Sequence, residues 1–372
     1  MTFPHVLIDG LVLADPMGGA LRYAIETWPR CAELLHARGG QLTALVAQKE
    51  REKDWVRGLA AHGALHLDFI EAPMRPAWKR ALNETSAVQN WMERSEACGN
   101  PVHLLQTQSL PAPNPRFPGQ RVHLSHGLRR QLEGPWWSRR LAEFALRQCA
   151  RRTDALIAVS ETLARDLASR FARVPIRVAP PACDSLPALP REPGDHVLCP
   201  GPLVPHKNHA LLIEAWGQDP ALPPLHLHAR QDRHARPLIE RIDALGLAQR
   251  ILWREPLTGE TWPEALATCA AVVLPSRLES FGLVALEALH AGAPLALSDL
   301  PAHREVIGLA QSAVRFFPPT NPLACANAIH QAVAMTDPAC QALRQKRAQD
   351  FSWEQTAERT VEHWSTLVGP AL

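Results

Sequence analysis

The sequence predicts an α/β protein with two parallel sheets, one in each half of the chain. Short apolar runs alternate with helical stretches along most of its length, which is typical of parallel α/β domains. A proline-rich stretch at 180–194 separates two such alternations, because proline fits neither a helix interior nor a central strand. A length of 372 residues also favours two domains over one.

Seven strands are predicted before the proline-rich stretch, and we expect them to form one sheet. Helices are predicted between the strands, and Ser160 is expected to cap one of them. The strands are expected at 5–13, 42–46, 65–69, 102–106, 122–125, 155–159 and 176–179, with helices at 20–37, 139–151 and 161–170 among others.

After the proline-rich stretch, the alternation resumes and predicts a second parallel sheet. Ligands of open parallel sheets bind at the carboxyl ends of the strands, so functional residues are expected in the loops that follow them. The strands of this half are expected at 197–199, 225–228, 251–253, 271–274, 294–297 and 313–316.

The composition indicates an ordinary globular protein. Hydrophobic residues make up 46% and charged residues 20%, and no run approaches the ~20 apolar residues of a membrane span. No basic segment with an apolar run and a cleavage site precedes the first strand, so we expect no secretory signal and a cytoplasmic location. The eight cysteines form no Cys-x-x-Cys pair, so neither a zinc site nor a disulfide framework is expected.

The net charge of +2 hides an asymmetry between the two halves. Residues 1–190 carry 24 Lys/Arg against 18 Asp/Glu, which is +6, and residues 191–372 carry 15 against 19, which is −4. Much of the excess lies at 129–152, beside Trp136 and Trp137. Basic residues beside tryptophans suit an anionic membrane surface, and a solvated helix face with partly buried indoles is the alternative. No nucleic-acid partner is expected, because no binding motif is present.

The stretch 275–288 is the most informative of the chain. A buried strand is predicted to end before it, and a glycine turn then opens a helix at Gly282 whose first N–H groups can hold a diphosphate. Glu279 precedes that helix and Glu287 lies two turns inside it, so both carboxylates can face one ligand and accept hydrogen bonds from vicinal hydroxyls. Two solvated glutamates are the alternative.

A second loop with candidate site residues follows the strand at 197–199. The chain turns at Gly201 and reaches Lys207 near a predicted helix start, where an ammonium group can meet a phosphate. Only five of the 39 basic residues are lysine, so this lysine is not expected to be an interchangeable surface charge.

The N-terminal half contributes a glycine loop and a histidine. Gly18 and Gly19 lie between a predicted strand and a predicted helix, where glycine permits a tight turn. His126 follows the strand at 122–125. It is one of 17 histidines, so its position rather than its identity makes it a candidate.

The stretch from Ser276 to Leu283, with Glu287, closely resembles the Glu-x7-Glu signature of the retaining glycosyltransferases of family 4. The resemblance implies that Glu279 contacts the hydroxyls of the donor sugar and that Glu287 contacts the ribose. It also implies a donor-binding role for the residues around the helix start, which are Ser280, Phe281, Gly282 and Leu283.

The Lys207 loop resembles the Gly-Arg-Leu-x-x-x-Lys segment of the same family, which neutralises the leaving diphosphate. Pro202 stands where the family carries arginine. The second charge is therefore absent or is supplied by another residue, for which Arg230, Arg233 and His206 are the candidates. Arg230 is included in the predicted donor site.

The N-terminal loop and His126 match the family as well. Gly18 and Gly19 resemble its Gly-Gly-x-x-Arg loop, which closes on the donor, and His126 aligns with a histidine that contacts the donor sugar. The resemblance implies the GT-B fold, with two facing Rossmann-like domains and a cleft between them. The predicted parts are a first domain at 1–185, a linker at 186–194, a nucleotide-sugar domain at 195–350 and a closing helix at 351–372 that returns to the first domain.

The resemblance implies a retaining glycosyltransferase that uses a nucleotide diphosphate sugar, most simply a UDP- or GDP-sugar, and needs neither a metal nor a cofactor. The expected acceptor is a hydroxyl of a glycan or of a lipid-linked sugar, as in bacterial-type envelope polysaccharide assembly at the inner face of the plasma membrane. Two alternatives stay open. One is a non-catalytic nucleotide-sugar-binding partner protein, and the other is a sugar-nucleotide epimerase of the same fold.

Overall fold

The structure is a computed structural model that describes residues 4–13, 18–71, 77–108, 110–128, 132 and 134–368, with only the backbone of 77–81. The chain divides into two compact units. Unit 1 comprises residues 1–181 and 353–372, and unit 2 comprises residues 182–352.

The described residues form thirteen strands in two sheets. They are β1 His5–Asp9, β2 Gln41–Ala47, β3 Leu65–Ile70, β4 Leu104–Thr107, β5 Gln120–Ser125, β6 Ala155–Ala158, β7 Ile176–Val178, β8 Val197–Pro200, β9 Leu225–His228, β10 Ile251–Arg254, β11 Ala271–Leu274, β12 Leu295–Ser298 and β13 Arg315–Phe317. All strands predicted from the apolar runs are therefore confirmed, with small differences at their ends except in the first strand, which ends four residues early.

The α-helices of the described residues lie mostly between successive strands. They are α1 Gly19–Ala37, α2 Asp54–Ala60, α3 Ala77–Ala97, α4 Trp136–Ala150, α5 Glu161–Arg170, α6 His209–Gln218, α7 Ala235–Ala244, α8 Thr261–Thr268, α9 Leu283–His290, α10 Pro301–Ile307, α11 Pro322–Val333, α12 Pro338–Ala348 and α13 Trp353–Val368. Ser160 caps α5 as predicted, because its Oγ accepts a hydrogen bond of 2.9 Å from the Leu163 N–H.

Both sheets are parallel and share one strand order. Unit 1 has the order β3-β2-β1-β4-β5-β6-β7, and unit 2 has the order β10-β9-β8-β11-β12-β13. In each sheet the order reverses direction next to the first strand of the unit, between β1 and β4 and between β8 and β11. Such a reversal opens a crevice at the carboxyl ends of the strands. The predicted α/β class with two Rossmann-like parallel sheets is confirmed.

The first strand is shorter than predicted. Leu11 and Leu13 are buried, which explains why the apolar run reads as one long strand. The backbone turns after Asp9 instead, because the Leu13 N–H donates to the carbonyl of Gly10 and the Leu11 N–H donates to the Asp9 side chain. The buried residues Leu11 and Leu13 therefore lie in a turn and not in the sheet.

Within the proline-rich stretch, residues 186–194 belong to unit 2 and are hydrogen-bonded to residues 267–269 of the same unit. The N–H groups of Glu192 and Gly194 donate to the carbonyls of Ala267 and Thr268 at 3.0 and 2.6 Å. Arg191 donates to the Cys269 carbonyl at 2.7 Å. Its prolines thus lie in an irregular segment that is fixed by main-chain bonds.

The last helix, α13, packs within unit 1. The Thr356 hydroxyl donates to the Pro180 carbonyl at 2.6 Å, and the Trp364 indole donates to the Gln106 side chain at 3.0 Å. The Trp353 ring meets Tyr23 edge-on at 5.8 Å between centroids. A helix from the end of the chain therefore completes the core of the first unit.

One helix of unit 1 turns an apolar face to solvent. Trp136 and Trp137 on α4 are 69% and 59% exposed, and Leu141 and Phe144 on the same helix are 63% and 59% exposed. These spacings bring the four side chains to one side of a helix. The helix face is solvated, as the alternative interpretation expected, but its two indoles are exposed rather than partly buried. Arg129 and Arg130 of the basic segment lie outside the described residues.

No helix in the described part of the chain combines the length and the apolar composition that a membrane crossing needs.

Candidate active site

Two loops of unit 2 meet at the reversal of its strand order. β8 and β11 are parallel neighbours, so the loops that follow them, 201–208 and 275–282, leave the same edge of the sheet. A main-chain hydrogen bond of 2.7 Å joins them, from the Arg277 N–H to the His206 carbonyl. The two predicted site loops are therefore in contact.

Asn208 holds the two loops together. Its backbone is in the left-handed region, with φ 59° and ψ 35°, and it immediately precedes α6. Its side-chain amide donates to the carbonyls of Pro275 and Pro319 at 2.9 Å each. Sequence reasoning gave this buried residue no role, although asparagine is among the few residue types that adopt such a conformation readily.

Lys207 and Glu279 form an ion pair at the end of these loops. The Lys207 Nζ lies 2.7 Å from the Glu279 Oε1, and the Ser276 hydroxyl donates to the same oxygen at 2.6 Å. The two charged side chains are only 24% and 14% exposed. Partly buried charges need such partners, because burial alone is costly.

The environment of Glu279 favours its ionised form. Burial acts to raise the pKa of this carboxyl group, but the charge of Lys207, the charge that His303 carries when protonated at low pH, and the hydrogen bonds from Lys207 and Ser276 outweigh it. The pKa of Glu279 therefore lies below its ordinary value. The group is a carboxylate at neutral pH and can accept hydrogen bonds.

Gly282 opens the helix α9 directly after this pair. Its φ of 104° lies in a region that side chains disfavour, and a Cβ at this position would lie 3.2 Å from the His303 Cδ2. The N–H groups in the first turn of a helix lack partners within the helix and attract anions. The predicted glycine turn and helix start are thus present beside the ion pair.

His303 is a residue of the site that sequence reasoning missed. It is fully buried on α10, and its Nδ1 lies 2.8 Å from the Ser298 carbonyl. Burial lowers the pKa of His303, Glu279 raises it, and the net shift is downward. His303 could have been identified as a candidate from its position after β12, the strand next to β11, because the loops that follow neighbouring parallel strands lie at one edge of the sheet.

The remaining residues of the signature differ in burial. Glu287 lies on α9, eight residues after Glu279, and is half-buried, as are Ser280 and Leu283. Phe281 is buried, and its ring meets Phe351 edge-on at 5.6 Å. A ligand can therefore reach Phe281 through its backbone rather than through its ring.

The loops after β8 and β9 carry the other predicted phosphate contacts. Gly201 has a φ of 120°, and its N–H donates to the His228 carbonyl at 3.1 Å. Pro202 is exposed beside it. Arg230 and Arg233 are exposed on the loop after β9, and the third candidate for the missing charge, His206, is buried.

In unit 1, the predicted residues follow β1 and β5, the two strands on either side of β4. Gly18 is exposed and has a φ of 53°, and Gly19 is the first residue of α1. The neighbouring residues 14–17 of the glycine loop lie outside the described residues. His126 follows β5 directly. Because β1, β4 and β5 are parallel neighbours, these loops share one edge of the sheet.

His126 is neutral at physiological pH. Burial lowers the pKa of His126 to about 4. Its Nε2 lies 3.5 Å from the Gln108 Oε1, and its ring meets Tyr23 edge-on at 5.5 Å. The nearby His123 is fully buried against Thr107, at 2.9 Å, and has a structural role. Among the described residues, no group of three or more His, Cys, Asp or Glu side chains could hold a metal ion.

Two protein-family models match the chain in succession and together span most of it. "Glycosyltransferase Family 4" matches residues 18–185, and "Glycosyl transferases group 1" matches residues 188–350. The chain is also 28% identical over 175 residues to the D-inositol 3-phosphate glycosyltransferase of Jonesia denitrificans. That match covers 44% of this chain and 41% of the relative, so it spans less than half of the relative's length.

Solved structures of similar fold cover nearly the whole chain. Sucrose-phosphate synthase from Thermosynechococcus elongatus superposes with a TM-score of 0.72 at 17% identity, over 98% of this chain and 99% of that one. Anabaena HepE in complex with UDP-glucose superposes with a TM-score of 0.69 at 17% identity, over 98% and 100%. At this identity, the similarity establishes the shared fold alone.

We predict that Gly282→Ala destabilises the protein by about 1–2 kcal/mol. An alanine would have to adopt a positive φ that costs an L-residue about this much, and its Cβ would press on His303. The measurement is the free energy of unfolding by urea denaturation. Gly259→Ala is the matched control, because a Cβ there meets nothing within 4 Å. Equal stability of the two variants would contradict the described turn.

We predict that Glu279→Gln lowers the free energy of unfolding at pH 7 by about 1.5–3 kcal/mol, the usual contribution of hydrogen bonds to a charged group. The native fold lowers the pKa of Glu279, so its stabilisation is present above the unfolded pKa of about 4.3 and is lost as the pH falls through the folded pKa.

The difference between the native protein and Glu279→Gln should therefore shrink as the pH falls below about 4. Glu362→Gln, on the exposed side of α13, serves as the control and should change stability by less than about 0.5 kcal/mol. A Glu279→Gln effect that is unchanged at low pH would show that the ion pair does not stabilise the fold.

Proposed function

Because the chain belongs to glycosyltransferase family 4, we propose that it transfers a hexose from a nucleotide diphosphate sugar to a hydroxyl group of an acceptor, with retention of the anomeric configuration. The observation that carries the proposal is the ion pair of Lys207 and Glu279 beside the start of α9. A cation, a carboxylate and a helix N-terminus lie together, and each suits a different part of a nucleotide sugar.

The diphosphate of the donor binds at Lys207 and at the first N–H groups of α9. An ammonium group makes strong charge-assisted hydrogen bonds to phosphate oxygens, and the dipole of the helix favours negative charge at its start. The glycine at 282 supports this, because its turn exposes the backbone N–H groups without an obstructing side chain.

The two carboxylates bind hydroxyl groups. Glu279 keeps its charge at neutral pH and orients the donor sugar, and Glu287 further along α9 holds the ribose. Carboxylates accept hydrogen bonds from vicinal hydroxyls and repel phosphates, which separates their role from that of Lys207. His126 of unit 1 contacts the sugar as a neutral imidazole, since burial keeps its pKa near 4.

In the transfer step, the bond between the anomeric carbon and the diphosphate oxygen breaks, and the acceptor oxygen bonds to that carbon on the same face. The acceptor proton passes to the departing diphosphate. Lys207 and the helix start stabilise the charge that develops on the leaving group, so the chemistry needs neither a metal nor a cofactor. We propose that Arg230, which is exposed on the loop after β9, supplies the charge that is missing at Pro202.

A UDP-sugar is the first donor to test. HepE, which shares the fold, was solved with UDP-glucose, and GDP-sugars are the next candidates. A thermal-shift screen of UDP- and GDP-sugars identifies the donor, because a ligand that binds only the folded state raises its melting temperature.

The acceptor is a glycan or a lipid-linked sugar, and the protein acts at the inner face of an anionic membrane in envelope polysaccharide or glycolipid assembly. The apolar face of α4, formed by Trp136, Trp137, Leu141 and Phe144, supports this. Arg139, Arg140 and Arg147 are exposed on the same helix, and the Arg140 guanidinium lies 5.5 Å from the Trp136 ring centre. Tryptophan beside arginine suits the boundary between lipid headgroups and acyl chains.

A non-catalytic protein that binds nucleotide sugars is the second candidate, and Pro202 favours it. In the family, this arginine and the lysine together neutralise the leaving diphosphate. Loss of the arginine is therefore expected to impair departure of the diphosphate more than binding of the donor. Release of the nucleoside diphosphate from a bound donor distinguishes the candidates, because a binding protein releases none.

We predict that Lys207→Ala slows transfer at least tenfold, which corresponds to about 1.4 kcal/mol in the barrier, because the leaving diphosphate loses its cation. The measurement is the initial rate of nucleoside diphosphate release with the donor found in the screen. Lys346→Ala, which removes an exposed lysine on α12, is the control and should keep the native rate.

Pro202→Arg extends this test. Higher activity than native would mean that the missing arginine limits catalysis. No gain, together with loss of activity in Arg230→Ala, would mean that Arg230 has taken its place. A native rate in Lys207→Ala would rule out the proposed phosphate site.

We predict that the protein sediments with vesicles that contain phosphatidylglycerol at low salt and that high salt weakens this binding. Each basic residue near an anionic surface contributes about 1 kcal/mol, and salt screens that attraction. Replacement of Trp136 and Trp137 by serine and of Arg139 and Arg140 by glutamine should abolish sedimentation.

Leu309→Ser combined with Leu323→Ser is the matched control, because these leucines of unit 2 are also exposed, at 94% and 58%. The control variant should sediment as the native protein does. No sedimentation of the native protein at low salt would favour a soluble acceptor.

A further inference from the structure

His303 has a buried ring nitrogen without a hydrogen-bond partner among the described residues. Its Nδ1 faces the Ser298 carbonyl at 2.8 Å, and a carbonyl oxygen can only accept, so Nδ1 carries the hydrogen. In the neutral ring, Nε2 is then an unprotonated acceptor. It is buried and has no donor among the described residues. Such an atom in a native fold calls for an explanation.

The Nε2 edge of the His303 ring lies against Gly282. A Cβ on Gly282 would lie 3.2 Å from the His303 Cδ2 and 3.8 Å from its Nε2, so the ring fills the space that the glycine leaves. Gly282 begins α9 and follows Glu279 by three residues. Nε2 is therefore beside the helix start at which the diphosphate binds.

Three charged groups act on His303. Glu279 and Asp299 favour its protonation, and Lys207 opposes it together with burial, which is the largest influence. Asp299 is itself bound by Arg304 at 2.7 and 2.9 Å, so its charge is largely compensated. The balance between Glu279 and Lys207 thus controls the charge of the ring, and while the two are paired His303 stays neutral.

Donor binding changes that balance. A diphosphate that engages the Lys207 ammonium competes directly with Glu279 for it, because the Nζ is now only 2.7 Å from the carboxylate. Glu279 would then keep only the Ser276 hydroxyl of its two described hydrogen bonds. The bound diphosphate also brings negative charge to the Gly282 turn. Both changes favour a protonated imidazole.

We propose that His303 takes up one proton from solvent at Nε2 when the diphosphate draws Lys207 away from Glu279, and that it then serves as the cationic neighbour of this carboxylate. This inference rests on the proposed donor site. His303 is a positioning residue in this scheme, because it keeps Glu279 ionised and oriented toward the sugar while Lys207 is occupied. No bond other than the new N–H bond forms.

The consequence is a measurable proton linkage. Without donor, the pKa of His303 lies below its ordinary value, and in the complex it is raised. Between these two values each binding event consumes a proton, so donor affinity falls as the pH rises, by at most about tenfold per pH unit for one proton. At pH values below the lower pKa or above the higher pKa, the titration of His303 has no effect on donor affinity.

The test is isothermal titration calorimetry with UDP-glucose and with GDP-mannose, whose diphosphates do not titrate near neutral pH. Heats measured in phosphate and in Tris, which differ in ionisation enthalpy, give the number of protons taken up. We expect the native protein to take up as much as one proton per donor near pH 7. His303→Gln should still bind but take up none, with an affinity that no longer depends on pH.

His363→Gln is the matched control, because His363 is buried on α13 in unit 1 and its ring nitrogens have no hydrogen-bond partner among the described residues. It should keep the native proton uptake. Glu279→Gln is a second test variant that does not alter the histidine. It should also reduce the uptake, because it removes the carboxylate that attracts the proton.

Equal proton uptake by the native protein and His303→Gln, or donor binding by the native protein without uptake, would overturn this inference and leave the proposed function intact. If His303→Gln unfolds, unchanged uptake in Glu279→Gln would overturn it in the same way. Failure of the native protein to bind either nucleotide sugar would instead contradict the proposed function, and the inference would fall with it.

Discussion

The ion pair between Lys207 and Glu279 is the interaction around which the candidate site is organised. It joins residues that are 72 positions apart in the chain, and it forms because β8 and β11 are neighbours at the point where the strand order reverses. Asn208 fixes its own loop to the second loop by a bond to the Pro275 carbonyl and to the chain after β13 by a bond to the Pro319 carbonyl. Gly282 lets the second loop enter α9 at once. Neither charge would hold its position without this topology.

The pair also explains the electrostatic state of the site. The two partly buried charges compensate each other, so the site is stable without a ligand. The pair also keeps the ammonium group and the carboxylate in fixed positions. A ligand that offers a diphosphate to the lysine and hydroxyls to the glutamate replaces the anionic partner of Lys207 with another anion and the cationic partner of Glu279 with neutral hydrogen-bond donors. The His303 Nε2, which has no hydrogen-bond partner among the described residues, lies beside Gly282. In the proposed exchange, the balance of charge around it would change.

Much of the fold followed from the sequence, because strands that are buried on both faces appear as short apolar runs between helices. The apolar run that ends at Leu13 led to a predicted first strand that was too long, because apolar residues buried in a turn look the same in a sequence as apolar residues buried in a strand. The family signature identified Lys207 and Glu279, but no local pattern indicates that they pair, which depends on strand order. His303 was missed for the same reason. The exposure of Trp136 also depends on tertiary packing, because an amphipathic pattern does not reveal whether another element covers its apolar face.

The most direct test of the account is a crystal structure with a bound nucleotide sugar, in which the distance between the Lys207 Nζ and the Glu279 Oε1 is compared with the present 2.7 Å. We predict that the ammonium group moves to within hydrogen-bonding distance of a diphosphate oxygen at the start of α9, and that a sugar hydroxyl donates to Glu279. A nucleotide sugar bound elsewhere, with the ion pair intact, would contradict it.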